Sequence, residues 1–268
     1  MRTVAVVLAG GTGQRFGGDR PKQLHVLAGR TLIEHSVTAF ERAPGVDTIM
    51  VVMPAALADQ ARERFTAAGG YRKVTAVIEG GATRTDSTRC AIAALGETEC
   101  DVLFHDAARP LVDQRIIADC VGALAADRAI GVAVPSSDTI VEVSDGVVTG
   151  MPRRDALARC QTPQGFRLSV IRRAYELAHA DPGFAQRPAT DDCGIVHRYL
   201  PDVPVRLVAG SERNIKITYP GDLEVAEALL RLRERHPPAS RSPARRSGTA
   251  PSGPASRART AGGPSASR

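Results

Sequence analysis

Four short runs rich in β-branched residues, at positions 4–8, 48–52, 74–78 and 102–105, alternate with four longer stretches of helical pattern at 32–42, 55–67, 84–95 and 114–126. The short runs are almost continuously apolar. Strands with that pattern are covered on both faces, which is the situation of parallel strands joined by helices. Gly and Pro mark the joins, at Pro44-Gly45, Pro54, Gly69-Gly70, Gly80-Gly81 and Pro110. The alternation predicts an α/β fold built on a doubly wound, mostly parallel sheet.

The pattern then changes. A strand at 131–134 is followed by two β runs at 139–143 and 147–149, with Ser144-Asp145-Gly146 between them. Asp-Gly between alternating runs predicts a hairpin. A hairpin that interrupts βα alternation projects from the sheet as a dimerisation arm, or is an ordinary surface hairpin; pattern alone leaves both open. A late strand at 205–208 and a closing helix at 221–235, with Pro220 near its first turn, complete a domain over residues 1–235, the arm spanning about 136–157. Residues 236–268 consist of His236 followed by Pro, Ser, Ala, Gly, Arg and two Thr. They carry no bulky apolar side chain, and the expectation is a disordered tail.

The whole chain carries 35 Lys and Arg against 29 Asp and Glu, a net charge of +6. All of the excess lies in the tail, in Arg241, Arg245, Arg246, Arg257, Arg259 and Arg268, with no acidic residue beside them. A neutral first 235 residues argues against a nucleic-acid-binding core, while a local anion site stays open. The five cysteines are scattered, without a C-x-x-C pair, which suits reduced thiols in a cytoplasmic protein. No apolar run approaches the length of a membrane helix.

The first strand runs into Leu8-Ala9-Gly10-Gly11-Thr12-Gly13-Gln14-Arg15-Phe16. Small residues at a strand's C-terminal end let backbone N–H groups approach an anion. Phe16 breaks the spacing of a dinucleotide fingerprint, and no Gly-Lys-Ser/Thr is present for a P-loop. Arg15 and Lys22 add two cations, as a triphosphate requires. Lys22, Lys73 and Lys216 are the only lysines in an arginine-rich chain. At the fourth strand end, His105-Asp106-Ala107-Ala108-Arg109 offers a carboxylate for a sugar hydroxyl or Mg²⁺, or else a helix cap paired with Arg109. After the third strand, residues 80–87 place Gly80, Gly81, Arg84 and Ser87 together, either to read a base or as a turn with ordinary capping. Three strand ends with small residues on one rim point to a nucleotide site.

These segments, together with Pro21-Lys22-Gln23, Gln161-Thr162-Pro163-Gln164, Thr190-Asp191-Asp192 and Asn214-Ile215-Lys216-Ile217-Thr218, resemble the 2-C-methyl-D-erythritol 4-phosphate cytidylyltransferases over about residues 3–233. The resemblance implies a Rossmann-like nucleotidyltransferase sheet with a β-hairpin dimerisation arm. It implies Mg²⁺ as cofactor, CTP as donor and 2-C-methyl-D-erythritol 4-phosphate as acceptor, with another polyol phosphate such as ribitol 5-phosphate as the alternative. Arg15, Lys22, Arg154 and Lys216 would be catalytic. Ala9, Gly10, Gly11, Gly13, Gly81, Arg84, Ser87, Asp106 and Ala107 would bind the nucleotide. Asp106, Arg109, Thr139, Arg154, Thr162, Thr190 and Lys216 would meet the acceptor, with Asp106 as the metal ligand. In the family the arm lends residues such as Thr139 and Arg154 to a second subunit of a homodimer. Gly10 stands where Ala is frequent, Asp192 where Glu is frequent, and Pro220-Gly221-Asp222 replaces a more acidic turn. Neither a membrane nor a nucleic acid is an expected partner of the core.

Overall fold

The computed structural model describes residues 1–10, 16 and 21–235. Gly11, Gly13 and Arg15, expected in the phosphate loop, and the 236–268 tail lie outside the described residues.

Seven strands form one sheet: β1 (Thr3–Leu8), β4 (Thr48–Met53), β5 (Val74–Glu79), β6 (Asp101–Asp106), β7 (Ala129–Pro135), β10 (Ala158–Arg167) and β11 (Arg206–Ala209), in the spatial order β11-β7-β10-β6-β1-β4-β5. Every neighbouring pair is parallel except the two that β10 makes, with β6 and with β7. Two small hairpins stand apart: β2 (Val26–Leu27) with β3 (Arg30–Thr31), and β8 (Glu142–Ser144) with β9 (Val147–Gly150).

Side chains alternate across the sheet, as the two-residue period of a strand requires. From β1, Ala5 and Val7 enter a core with Ile33, Val37 and Phe40 of α1 (Leu32–Glu41), Ala61 of α2 (Ala55–Arg64), and Ile116, Ile117, Cys120 and Leu124 of α4 (Gln114–Leu124). Val4, Val6 and Leu8 face the opposite core, with Ala91 and Ile92 of α3 (Arg84–Ala94), Ile171 and Tyr175 of α5 (Leu168–Ala180), and Ile195 and Val196 of α6 (Asp192–Tyr199). The sheet is doubly wound as expected. A third, smaller cluster gathers Phe16, Leu27, Leu32, Leu111 and Ile217 under α7 (Gly221–Arg235).

The helix starts follow local chemistry. Thr31 caps α1 and Thr83 caps α3, each in a reciprocal capping box, with Glu34 and Asp86 respectively. Asp113 and Asp191 cap α4 and α6 through their side chains.

β10, α5 and α6 were not expected from sequence, nor was the small β2–β3 hairpin. The Asp-Gly hairpin forms with Asp145 and Gly146 both at positive φ, 50° and 79°, the backbone that this dipeptide favours. Its first strand is shorter than expected: Thr139, Ile140 and Val141 precede it, exposed and outside the ladder.

Candidate active site

The C-terminal ends of β1, β5 and β6 meet at one rim. Gly10 follows β1, and Gly80 and Gly81 follow β5. A Cβ on Gly10 would lie 2.6 Å from the Ser87 hydroxyl and 3.8 Å from the Gly80 Cα. A Cβ on Gly80 would lie 2.7 Å from the same hydroxyl. The glycines thus let two backbone segments and the first turn of α3 close on each other, and a Cβ at either position would require the Ser87 hydroxyl to shift. Ser87 is buried and donates to the Thr83 carbonyl at 2.9 Å. Ala9 is also buried, its N–H donating to the Val52 carbonyl at 2.8 Å.

Asp106 ends β6 and is the electrostatic centre of the rim. Its Oδ1 accepts from Arg84 Nε at 2.9 Å and its Oδ2 from Lys216 Nζ at 2.8 Å. Burial alone would raise its pKa, but Arg84 and Lys216 outweigh burial and hold the carboxyl far below the ordinary range. Arg84 reaches further, placing Nη1 2.9 Å from Asp192 Oδ2. Asp192 is fully buried and accepts from the Tyr175 hydroxyl at 2.6 Å. Burial opposes the charge on Arg84, yet the two carboxylates push its pKa well above the usual guanidinium value.

A second network fixes the backbone of Asp106. The Asp106 N–H donates to Thr162 Oγ1 at 3.1 Å, and Thr162 Oγ1 lies 3.0 Å from His105 Nδ1. His105 Nε2 lies 3.1 Å from the Arg109 carbonyl oxygen. A carbonyl only accepts, so Nε2 carries the proton and Nδ1 accepts the Thr162 hydroxyl. Burial pulls the His105 pKa down to about 4, which keeps this neutral tautomer at physiological pH. Arg109 donates to the carbonyls of Asn214 at 2.8 Å and Cys160 at 3.2 Å. Burial draws its pKa below the guanidinium value, Asp106 opposing and Arg84 adding to the shift. Asn214 in turn donates to the Thr162 carbonyl at 2.9 Å and to Gln161 Oε1 at 3.2 Å, and Gln164 receives the N–H groups of Asp192 and Cys193.

Lys22 lies in a short 3₁₀ turn, Lys22–Leu24, and donates to the Ile217 carbonyl at 3.0 Å. Phe16 is packed in the third cluster with Ile217, its ring 4.5 Å from that of His25. The segment that carries Lys216 therefore shares a cluster with Phe16, at the end of the Gly-rich run, and accepts a hydrogen bond from the lysine after it.

The structure thus brings Ala9, Gly10, Gly81, Arg84, Ser87, Asp106, Ala107, Arg109, Thr162 and Lys216 to one rim. Thr139 and Arg154 are exposed on the arm side of the chain, and Thr190 is exposed just before the α6 cap. Sequence reasoning assigned no role to His105, Tyr175 or Asp192. Asp192 had one signal: of two consecutive carboxylates before a helix, only the first is needed as cap.

Among the described residues, no group of three or more His, Cys, Asp or Glu side chains stands together as a metal cage. Asp106 nevertheless fits Mg²⁺ as a single ligand. Each oxygen holds one cation and keeps a second lone pair, and Mg²⁺ commonly takes one carboxylate with phosphate oxygens and water.

The sequence model of the 2-C-methyl-D-erythritol 4-phosphate cytidylyltransferases matches residues 3–232. A 2-C-methyl-D-erythritol 4-phosphate cytidylyltransferase of Thermobifida fusca is 54% identical over 237 residues, covering 86% of this chain and 94% of its own. A bifunctional ribulose 5-phosphate reductase/CDP-ribitol pyrophosphorylase of Haemophilus influenzae is 36% identical over 236 residues, 87% of this chain and 49% of its own. The crystal structure of a 4-diphosphocytidyl-2C-methyl-D-erythritol synthase from Anaerococcus prevotii superposes with a TM-score of 0.73 at 27% identity, covering 86% of this chain and 98% of that one. With a match that spans nearly all of its folded sheet and helices, the chain belongs to the 2-C-methyl-D-erythritol 4-phosphate cytidylyltransferase family.

Proposed function

We propose that the rim around Asp106 transfers CMP from CTP to 2-C-methyl-D-erythritol 4-phosphate, releasing pyrophosphate. Membership of the family makes the chain a nucleotidyltransferase; the assignment of roles to its residues is our reading. The observation that carries it is Asp106 held between Arg84 and the half-exposed Lys216 at the convergence of three glycine-lined strand ends.

An oxygen of the acceptor phosphate attacks the α-phosphorus in line. The bond from the α-phosphorus to its bridging oxygen breaks, and that oxygen leaves with the electron pair on pyrophosphate. The acceptor phosphate is already anionic at neutral pH, so no strong base is required. The work of the protein is to hold two anions together and offset the charge that gathers between them. Arg15 and Lys22 would meet the triphosphate. The close-packed backbone of Ala9, Gly10, Gly11, Gly13 and Gly81, with Ser87, would take the cytosine. Asp106 and Ala107 would meet the ribose, and Lys216, Arg109, Thr162 and Thr190 would line the acceptor side. Magnesium, held by Asp106 and the phosphate oxygens, would neutralise charge on the triphosphate when bound.

Thr139 and Arg154 are read as residues lent across a homodimer. Support comes from the arm, where Ile140, Val143, Val147, Val148 and Met151 expose a run of apolar side chains that a second copy would cover. The five free thiols suit a reducing cytoplasm, and no described helix is long and apolar enough to cross a membrane.

The acceptor assignment favours methylerythritol phosphate over ribitol 5-phosphate, since the matching family model and the 54% identical relative both carry the methylerythritol phosphate name. The test offers CTP, Mg²⁺ and a panel of polyol phosphates to the purified protein. Pyrophosphate release with methylerythritol phosphate alone is expected. Preferred use of ribitol 5-phosphate would replace the acceptor assignment. Lys22→Ala is expected to lower kcat by roughly two orders of magnitude.

A further inference from the structure

Asp106 is shared by two cations of unlike standing. Lys216 reaches it from the rim with 39% of its side chain exposed. Arg84 comes from the first turn of α3 with 25% exposed, and its far side meets Asp192, whose side chain is 0% exposed. The guanidinium lies between two carboxylates, hydrogen-bonded to Asp106 at Nε and ion-paired with Asp192 at Nη1, with Nη2 buried and without a hydrogen-bond partner, and Asp192 is itself fixed by the Tyr175 hydroxyl. A fork held by two carboxylates cannot turn to solvent without stranding a buried charge. Lys216 makes one ion pair at the end of a flexible stem, and its departure leaves Asp106 still paired with Arg84.

We infer that Asp192 and Tyr175 clamp Arg84 as the fixed counter-charge of Asp106, so that Lys216 is its exchangeable partner and moves to the acceptor phosphate without stranding the carboxylate. Arg84 then acts as a positioning residue and not as a nucleotide ligand. The inference rests on the reading that Lys216 receives the acceptor. It explains why Arg84 spends its guanidinium on Asp106 and on the buried Asp192. It also gives Asp192 a function that helix capping does not need, since Asp191 already accepts the Gly194 N–H at 2.8 Å.

The test uses the full chain with CTP, Mg²⁺ and 2-C-methyl-D-erythritol 4-phosphate, and reads kcat and both KM values separately. A parent inactive with this acceptor overturns the acceptor reading, and with it the release of Lys216. With an active parent, Asp192→Asn is expected to lower kcat by about tenfold or more while KM for CTP stays within about threefold. Asp192→Glu, which restores the carboxylate, is expected to recover part of the loss. Arg84→Gln is expected to bind CTP as tightly as the parent in calorimetry without acceptor. Full kcat in folded Asp192→Asn, or a loss of CTP affinity of about tenfold in Arg84→Gln, overturns the inference. Should Asp192→Asn fail to fold, Tyr175→Phe keeps the ring in the core and removes only the hydroxyl. Its kcat is expected to fall by about threefold or more with KM for CTP unchanged, and full kcat there overturns the clamp.

Discussion

Thr162→Val isolates the second network at little cost in shape. In the parent the Thr162 hydroxyl accepts the Asp106 N–H at 3.1 Å and donates to His105 Nδ1 across 3.0 Å. His105 cannot compensate by changing tautomer, because Nε2 must keep its proton for the Arg109 carbonyl. Valine therefore leaves one buried donor and one buried acceptor unpaired, each worth about 1–3 kcal/mol. The added methyl returns under about 1 kcal/mol. The expected net loss is about 1–5 kcal/mol, or a fall in thermal midpoint of about 2–20 °C for a domain of this size. Urea unfolding at pH 7, with Thr162→Ser as the control that keeps the hydroxyl, measures it. Thr162→Ser is expected to lose only about 1 kcal/mol for its missing methyl. A Thr162→Val midpoint within about 2 °C of the parent would refute the reasoning, because the hydroxyl would then be dispensable to both partners.

Gly81→Ala overlaps the Asp86 side chain and brings a Cβ to 3.2 Å from the Asp86 backbone carbonyl carbon; the expected loss is about 1–3 kcal/mol with a raised Kd for CTP, measured by denaturation and calorimetry. Val147→Asp puts a charge on an arm residue that is 65% exposed; sedimentation equilibrium is expected to show monomer in place of dimer, with an unchanged thermal midpoint. Burial raises the Glu34 pKa, but the Thr31 N–H and hydroxyl and Arg64 lower it more, so its net stabilisation is present above about pH 4.5 and lost as the pH falls through the folded value. Glu34→Gln is expected to cost about 1 kcal/mol at pH 7, with the gap to the parent closing in acid, as pH-dependent unfolding would show.

The parallel half of the sheet was legible because its strands are mostly apolar, as burial on both faces demands of β1, β4 and β6. β10 was not legible for the opposite reason. Its centre reads Gln161-Thr162-Pro163-Gln164-Gly165, a composition that signals a turn, yet all five residues are buried in the sheet. The ladder with β7 shifts register between Gln161 and Gln164, and there the polar side chains leave the strand pattern to bind Asn214, Asp191 and the N–H groups that open α6. Gly165 is required because a Cβ would fall within 2.9 Å of Leu103 and Ile130. The rim residues Gly10, Gly81, Ser87 and Asp106 were visible as strand ends. Arg84 was visible as a cation near them, but its direction depends on Asp192, which is distant in sequence and whose segment, Thr190-Asp191-Asp192, says nothing of its pairing with Arg84.

The arm has a further consequence through its roots. Pro135 and Ala158 are paired partners at the start of the β7–β10 ladder, and the Ser136 N–H donates to the Leu157 carbonyl at 3.2 Å just outside them. Seen from the sheet, everything between is one long hairpin loop, however much structure it holds. The entropy of closing such a loop grows only slowly with its length, by about 0.6 kcal/mol for each doubling. The segment can therefore be lengthened, shortened or exchanged while the register below it stays the same. A short turn from residue 136 to residue 157 is therefore expected to leave the sheet and its rim folded while removing Thr139 and Arg154, so that fold and the arm's proposed contribution to a second copy are separable.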